Sequence, residues 1–190
     1  ECEVHDTLNC FDDAERLQSF DIIVPVWTMS KIEKEQAVNV SEAVARGTGL
    51  AGCHGGMCDA FRESVLWQFM TGANWVAHPG GDGVRYKVNI KDKEHELTSG
   101  IEDFEVESEQ YYLHTDAANH VLATTTFPSV TWYHSANGSV EVPQAWTRRW
   151  GMGRVYYNAL GHKANVIAAG PAREMLQRGL VWAAKSKAAA

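Results

Sequence analysis

Four histidines of the chain lie in glycine-rich turns or directly after segments that resemble strands. They are His54, His78, His114 and His162. Ligands of open α/β sheets bind outside the carboxyl ends of the strands, and an imidazole there can act as acid, base or metal ligand near neutral pH. A single histidine in such a loop is more often a hydrogen-bonded structural residue. The sequence therefore leaves two alternatives open, one shared polar site or separate structural histidines.

The turn that contains His54 has the most specific pattern. Its sequence, Gly-Cys-His-Gly-Gly over residues 52–56, follows an apolar segment at 49–53 and precedes a predicted helix at 59–70. A strand, a glycine-flanked residue and a helix form the pattern of a nucleophile elbow, which projects its central residue into the site. The central residue is His54, and a helix N-terminus behind it would favour negative charge there.

The cysteines predict neither a disulfide framework nor a thiol nucleophile. The chain has four, Cys2, Cys10, Cys53 and Cys58, without a CxxC pair, which is typical of reduced thiols in a cytosol. Cys53 is one position from the centre of the elbow and is expected to point into the sheet. Cys58 lies in the first turn of the predicted helix, where a thiolate is stabilised, but no sequence feature supplies its base.

The segments that must position these histidines follow an α/β pattern. Apolar runs predict strands at 20–26, 49–53, 84–90, 104–107, 121–126 and 153–158, and helices at 12–17, 31–46, 59–70 and 171–185. Residues 84–90 alternate apolar and polar side chains, which indicates a half-exposed strand. Residues 127–143 are predicted to form a flexible loop. The pattern predicts a mostly parallel sheet with flanking helices and some antiparallel strands.

Length and charge favour one globular domain and exclude two classes of partner. The chain has 190 residues and a net charge of −7 with scattered lysines and arginines, which is unlike a nucleic-acid binder. No apolar run reaches the ~18–20 residues that a membrane span requires. We expect one domain over residues 1–187, a tail at 188–190 and a cytoplasmic location. The N-terminus lacks a signal-peptide pattern, and removal of a signal before residue 1 stays open.

An ordered series of short motifs runs from Val4 to Ala184. It comprises residues 49–56, His78-Pro79-Gly80-Gly81, 95–101, 108–112, 146–157, Leu160-Gly161-His162 and 178–183. Each motif is weak alone, but in this order the series resembles the ThuA-like (trehalose utilisation) family. The resemblance implies a flavodoxin-like three-layer sandwich of the class I glutamine amidotransferase-like type, with a mostly parallel central sheet and flanking helices.

The resemblance also implies a function and a set of site residues. Glutamine amidotransferases carry cysteine at the elbow, so with His54 there that activity should be absent. The family is linked to trehalose and related disaccharides, through their keto derivatives, and its members hold a divalent metal with histidine and carboxylate ligands. We expect catalytic roles for His54, Glu109 and Tyr111, sugar contacts from His114, Trp146 and Arg148, and metal ligation, with zinc as the expected ion, by His54, His78 and His162. No nucleotide cofactor is expected.

Several alternatives stay open at this point. The reaction is unassigned among hydrolase, lyase and isomerase classes, and a non-catalytic sugar-binding or regulatory module would carry the same fold. A hydrolase that uses Cys53 or Cys58 is a third hypothesis. Arg148 and its neighbour Arg149 form either a solvated corner or an edge that faces a sugar or anion. Family members usually begin with a strand and helix before the segment matching Glu1–Val4, so we expect either truncation or a homo-oligomer that covers the exposed sheet edge.

Overall fold

Nine strands and five α-helices make up the described part of the fold. The computed structural model describes residues 1–128 and 133–189. The strands are β1 (Ile22–Ile23), β2 (Gly49–Cys53), β3 (Ala73–Ala77), β4 (Val84–Ile90), β5 (Phe104–Ser108), β6 (Tyr112–Thr115), β7 (His120–Phe127), β8 (Val140–Trp150) and β9 (Gly153–Asn158). The helices are α1 (Ala14–Ser19), α2 (Lys34–Ala45), α3 (Gly55–Cys58), α4 (Val65–Thr71) and α5 (Gly170–Ala184). Short 3-10 helices cover Leu8–Phe11, Tyr133–Asn137, Ala164–Ile167 and Lys187–Ala189.

The predicted α/β class is confirmed, and the central sheet is mixed. Its strand order is β1-β2-β9-β8-β7-β4-β5. Strand β2 pairs in parallel with β1 and β9, whereas the remaining pairs are antiparallel. The parallel part is therefore narrower than the sequence indicated. Because β2 and β9 are parallel neighbours, the turns that follow them lie at the same edge of the sheet.

Both faces of the sheet are buried at β2 and β9, whereas β4 and β5 expose alternate side chains. Side chains alternate across a strand, so along β9 Val155 and Tyr157 pack on one face and Tyr156 on the other. The first face is covered by α2 and α4, and the second by α5. In α5, Gly179 allows close approach, because a Cβ there would lie 2.1 Å from the Tyr156 ring. Helices on both sides give the three layers that the resemblance implied.

Local hydrogen bonds place the ends of two helices differently from the predictions. We predicted a helix from residue 31, but α2 begins at Lys34 because Glu33 and Gln36 form a capping box. We predicted one helix over 59–70, and the structure has a single turn, α3, before Asp59 and a separate α4. The Ser64 side chain accepts a hydrogen bond from the Trp67 backbone and so starts α4 at Val65.

Three strands were missed, and one predicted strand is short. The strand predicted at 20–26 is limited to β1, because the chain then turns to hydrogen-bond with the α3 region through the Met29 amide and the Asp59 carbonyl, 2.9 Å apart. Strands β3 and β6 pair in a separate antiparallel sheet. The loop predicted at 127–143 contains a 3-10 helix and the start of β8, and its residues 129–132 lie outside the described residues.

The helices of residues 1–128 and 133–189 include none that could cross a bilayer, since each is too short or too polar.

Candidate functional site

A cavity of about 670 Å³ opens where four connections meet. His54 follows β2, His162 follows β9, His78 follows β3, and the connection between β5 and β6 contributes Glu109 and Tyr111. The volume lies within the roughly 300–1,000 Å³ typical of small-molecule sites. The structure thus brings together five of the eight site residues that the sequence singled out.

The elbow holds His54 in an unusual backbone conformation. Its φ of 50° and ψ of −138° lie in a region that side chains with a Cβ rarely occupy. The backbone amide of His54 donates to the Asn158 carbonyl at 2.8 Å, and its carbonyl accepts from the Tyr157 hydroxyl at 3.0 Å. Parallel pairing with β9 therefore fixes the turn. A Cβ at Gly55 would lie 3.0 Å from Thr28 Oγ1, so the following position must also be small.

His54 and His162 converge on one oxygen of Glu109. His54 Nε2 and His162 Nδ1 each lie 3.3 Å from Glu109 Oε2. The exposed fractions of the three side chains are 11% for His54, 13% for Glu109 and 32% for His162. One ligand atom from each residue lies within 4.8 Å of the other two. His78 approaches the second carboxylate oxygen, with Nε2 3.8 Å from Glu109 Oε1.

The surroundings of His54 keep its imidazole neutral. Burial, together with the neighbouring His162 and His78, lowers the pKa of His54 to about 3. The Tyr111 hydroxyl lies 3.0 Å from Nδ1, and burial raises the pKa of Tyr111, which remains a phenol. His54 Nε2 is buried and has no hydrogen-bond partner among the described residues. If Nδ1 carries the proton and donates to Tyr111, the Nε2 lone pair faces Glu109 and His162.

The donor set fits a divalent ion such as zinc. Two imidazole nitrogens and a carboxylate oxygen are ligands found at catalytic zinc sites. A tetrahedral ion with ligands at about 2.0–2.1 Å separates its donor atoms by roughly 3.3–3.4 Å, close to the 3.3 Å between Glu109 Oε2 and either imidazole. An ion bound there would also give a partner to the buried Nε2 of His54, which lacks one in the part of the chain described. Glu109, rather than His78, is the third member of this group.

The three residues expected to contact a sugar, His114, Trp146 and Arg148, do not line this cavity. Trp146 is 0% exposed, and its Nε1 donates to the Thr71 carbonyl at 3.0 Å in the core. The Arg148 side chain, 6% exposed, is paired with Asp116 at 3.5 Å and donates to Asn119 at 2.9 Å. The Arg148 side chain therefore faces neither solvent nor a sugar in this cavity. His114 is exposed on β6 and packs near Tyr112.

A second polar cluster of the cavity wall was missed by the sequence reasoning. The Asp59 carboxylate forms an ion pair with Arg62 Nε and accepts a hydrogen bond from Thr28 Oγ1 at 3.2 Å. The Arg62 guanidinium lies 3.9 Å from the centre of the Trp75 ring. The i,i+3 spacing of Asp59 and Arg62 was the available signal, but such pairs are frequent on helix surfaces.

The cysteines near the elbow are not poised for nucleophilic chemistry. Burial raises the pKa of the Cys53 thiol, and it raises that of the Cys58 thiol well above its usual range. A thiol must ionise to act as a nucleophile, so both side chains are inert near neutral pH. This favours histidine and carboxylate chemistry over the cysteine-dependent alternative.

Fold and site together define an α/β domain with a histidine at the elbow and a carboxylate opposite it. The chain belongs to the ThuA family, described as trehalose utilisation, whose sequence model matches residues 1–183. No curated protein matches the chain in sequence.

Solved structures confirm the fold at low sequence identity. A ThuA-like protein from Bacteroides uniformis ATCC 8492 is 15% identical with a TM-score of 0.74, over 97% of this chain and 77% of that one. A ThuA-like protein from Parabacteroides merdae ATCC 43184 is 18% identical with a TM-score of 0.67, over 88% and 71%. A cytoplasmic protein from Salmonella typhimurium LT2 is 15% identical with a TM-score of 0.60, over 96% and 79%.

Proposed function

We propose that this protein is an enzyme of carbohydrate utilisation that acts on trehalose or a related keto-disaccharide. The reaction takes place at the His54–Glu109–His162 cluster with a divalent metal, for which zinc is the expected ion. The observation that carries the proposal is the approach of two imidazole nitrogens to one carboxylate oxygen, each at 3.3 Å, inside a cavity of about 670 Å³. Family membership supplies the link to trehalose.

The bound ion, Tyr111 and His78 have different roles in this proposal. Zinc at such a site polarises a carbonyl or activates a water molecule. Tyr111 holds His54 through the contact at Nδ1 and so fixes the ring orientation and tautomer. His78 lies on the other side of Glu109, with a side chain that is 39% exposed. It is placed to exchange a proton between the sugar and solvent through Nε2.

The cellular location is part of the proposal. One structural neighbour is described as a cytoplasmic protein, and we propose the same compartment for this chain. No nucleotide cofactor enters the proposal, because the cluster that carries it offers two imidazoles and a carboxylate.

Calorimetry and product analysis test the function together. We expect trehalose or its keto derivative to bind the wild-type protein, a new sugar product to form, and both to be lost in His162→Ala. His114→Ala is the matched control, because it removes an exposed histidine away from the cavity, and it should behave as wild type. Binding without any product would favour the non-catalytic sugar-binding module. Equal activity of the two variants would refute the assignment of the cluster.

A further inference from the structure

A second, smaller cavity adjoins the His54–Glu109–His162 cavity. It has a volume of about 480 Å³ and is lined by Met29, Ser30, Lys31, Arg62 and Glu63. Met29 and Arg62 line the larger cavity as well. The two cavities therefore share part of their walls. A ligand that occupies both would contact Arg62, which lines each of them.

The Arg62 guanidinium is held on two sides by the protein. Its Nε forms the ion pair with Asp59, whose side chain is only 6% exposed, and its face stacks on Trp75. A guanidinium has five N–H donors in a rigid plane. Among the described residues, neither Nη1 nor Nη2 donates a hydrogen bond, and the side chain is 40% exposed.

The Arg62 guanidinium is held in place by the protein, and its two Nη groups are suited to bind two neighbouring oxygen atoms of a ligand. Arginine presents its two Nη groups in a fork, and holding the side chain in advance reduces the entropy lost on binding. The Asp59 carboxylate offsets its charge, so the Nη groups are matched to neutral oxygens such as neighbouring sugar hydroxyls better than to a strong anion.

We propose that Arg62 is a specificity-determining residue that binds the second sugar unit of a disaccharide, while the first unit lies at the His54–Glu109–His162 cluster. The inference rests on the proposed function, since it assumes a sugar at the cluster. It adds that the site is built for two linked rings and that the second ring occupies the cavity between Arg62 and Lys31.

Calorimetry with trehalose and glucose tests this directly. We use wild type, Arg62→Ala and Arg62→Lys, with Arg85→Ala as the control, because Arg85 pairs with the exposed Glu105 and neither residue lines either cavity. Arg62→Lys retains a positive charge beside Asp59, so it covers the case in which the alanine variant fails to fold. Since a hydrogen bond from a charged donor contributes about tenfold or more to binding, we expect trehalose affinity to fall by about that factor in Arg62→Lys while glucose affinity is unchanged.

The outcomes separate this inference from the proposed function. Wild type that binds neither sugar would refute both. Wild type that binds trehalose without turnover would refute the enzyme and leave the Arg62 assignment supported. If trehalose and glucose weaken by the same factor in the Arg62 variants, or neither weakens, the inference is wrong and the proposed function stands.

Discussion

The strained backbone of His54 predicts an inversion of the usual order of alanine and glycine. At most positions glycine is less stable than alanine by roughly 0.5–1 kcal/mol. At His54, φ is 50° and ψ is −138°, a conformation open to glycine that costs other residues about 1–3 kcal/mol. Both substitutions remove the imidazole and keep the backbone hydrogen bonds to Asn158 and Tyr157. The strain, less the roughly 0.5–1 kcal/mol that glycine ordinarily loses, decides their difference, and we expect His54→Gly to exceed His54→Ala in unfolding free energy by about 1–2 kcal/mol.

Urea unfolding of metal-free protein measures this difference. The seven tryptophans provide the fluorescence signal, and a chelator removes any contribution of bound metal. In thermal unfolding the same difference corresponds to about 2–8 °C in Tm for a chain of this size. As the control, we expect the normal order at exposed Glu42 in α2, with Glu42→Gly less stable than Glu42→Ala by about 1 kcal/mol. If His54→Ala is as stable as His54→Gly, the elbow is not strained at this residue.

Three further predictions concern acid stability, packing and a buried tryptophan. The pKa of His54 is lowered from 6.5 to about 3, so the unfolded state binds a proton at a higher pH than the folded state does. Metal-free protein should therefore lose up to about 5 kcal/mol of stability as pH falls from about 6.5 towards 3. The unfolding free energy measured as a function of pH checks this. Gly179→Ala would place a Cβ 2.1 Å from the Tyr156 ring and should cost about 1–3 kcal/mol or more in urea unfolding. Trp146→Phe removes the donor to the Thr71 carbonyl and should cost about 1–3 kcal/mol, with sugar binding unchanged by calorimetry.

Each of these has a control or a contrary result. His54→Gln does not titrate and should flatten the acid loss, and an unchanged pH slope would mean that His54 is not its source. The Glu109 carboxylate favours the imidazolium, so the acid loss given above is an upper value. Gln177→Ala, at an exposed position on the same helix as Gly179, should leave stability near wild type. If the Trp146→Phe variant folds fully but no longer binds sugar, Trp146 contributes to the sugar site after all.

The strands buried on both faces were the most predictable part of the fold. Strands β2 and β9 are short apolar runs bounded by glycine or polar residues, which is the local pattern of such strands. Strand β8 has no such pattern, because its polar residues are satisfied by partners distant in the chain. Gln144 Nε2, for example, donates to the Tyr111 carbonyl at 2.9 Å. A contact between residues 33 positions apart cannot be recognised in a short sequence segment, so part of Val140–Trp150 was predicted to be a loop.

The same distinction between local and distant information applies to the site. His54 and His162 follow parallel neighbouring strands, so the α/β pattern itself predicts that they share an edge. The position of Glu109 depends on the connection between β5 and β6 and was supported only by the family resemblance. The ion pair of Asp59 with Arg62, and the stacking of Arg62 on Trp75, depend on the way α3, α4 and β3 pack. No periodicity in the sequence encodes that packing.

Zinc titration of the metal-free protein by calorimetry tests the central claim most directly, namely that His54, Glu109 and His162 form one metal site. The wild-type protein is predicted to bind a single equivalent, with binding lost in Glu109→Ala and retained in His114→Ala. A wild-type protein that takes up no zinc, or a Glu109→Ala variant that binds it as tightly as wild type, would contradict the claim.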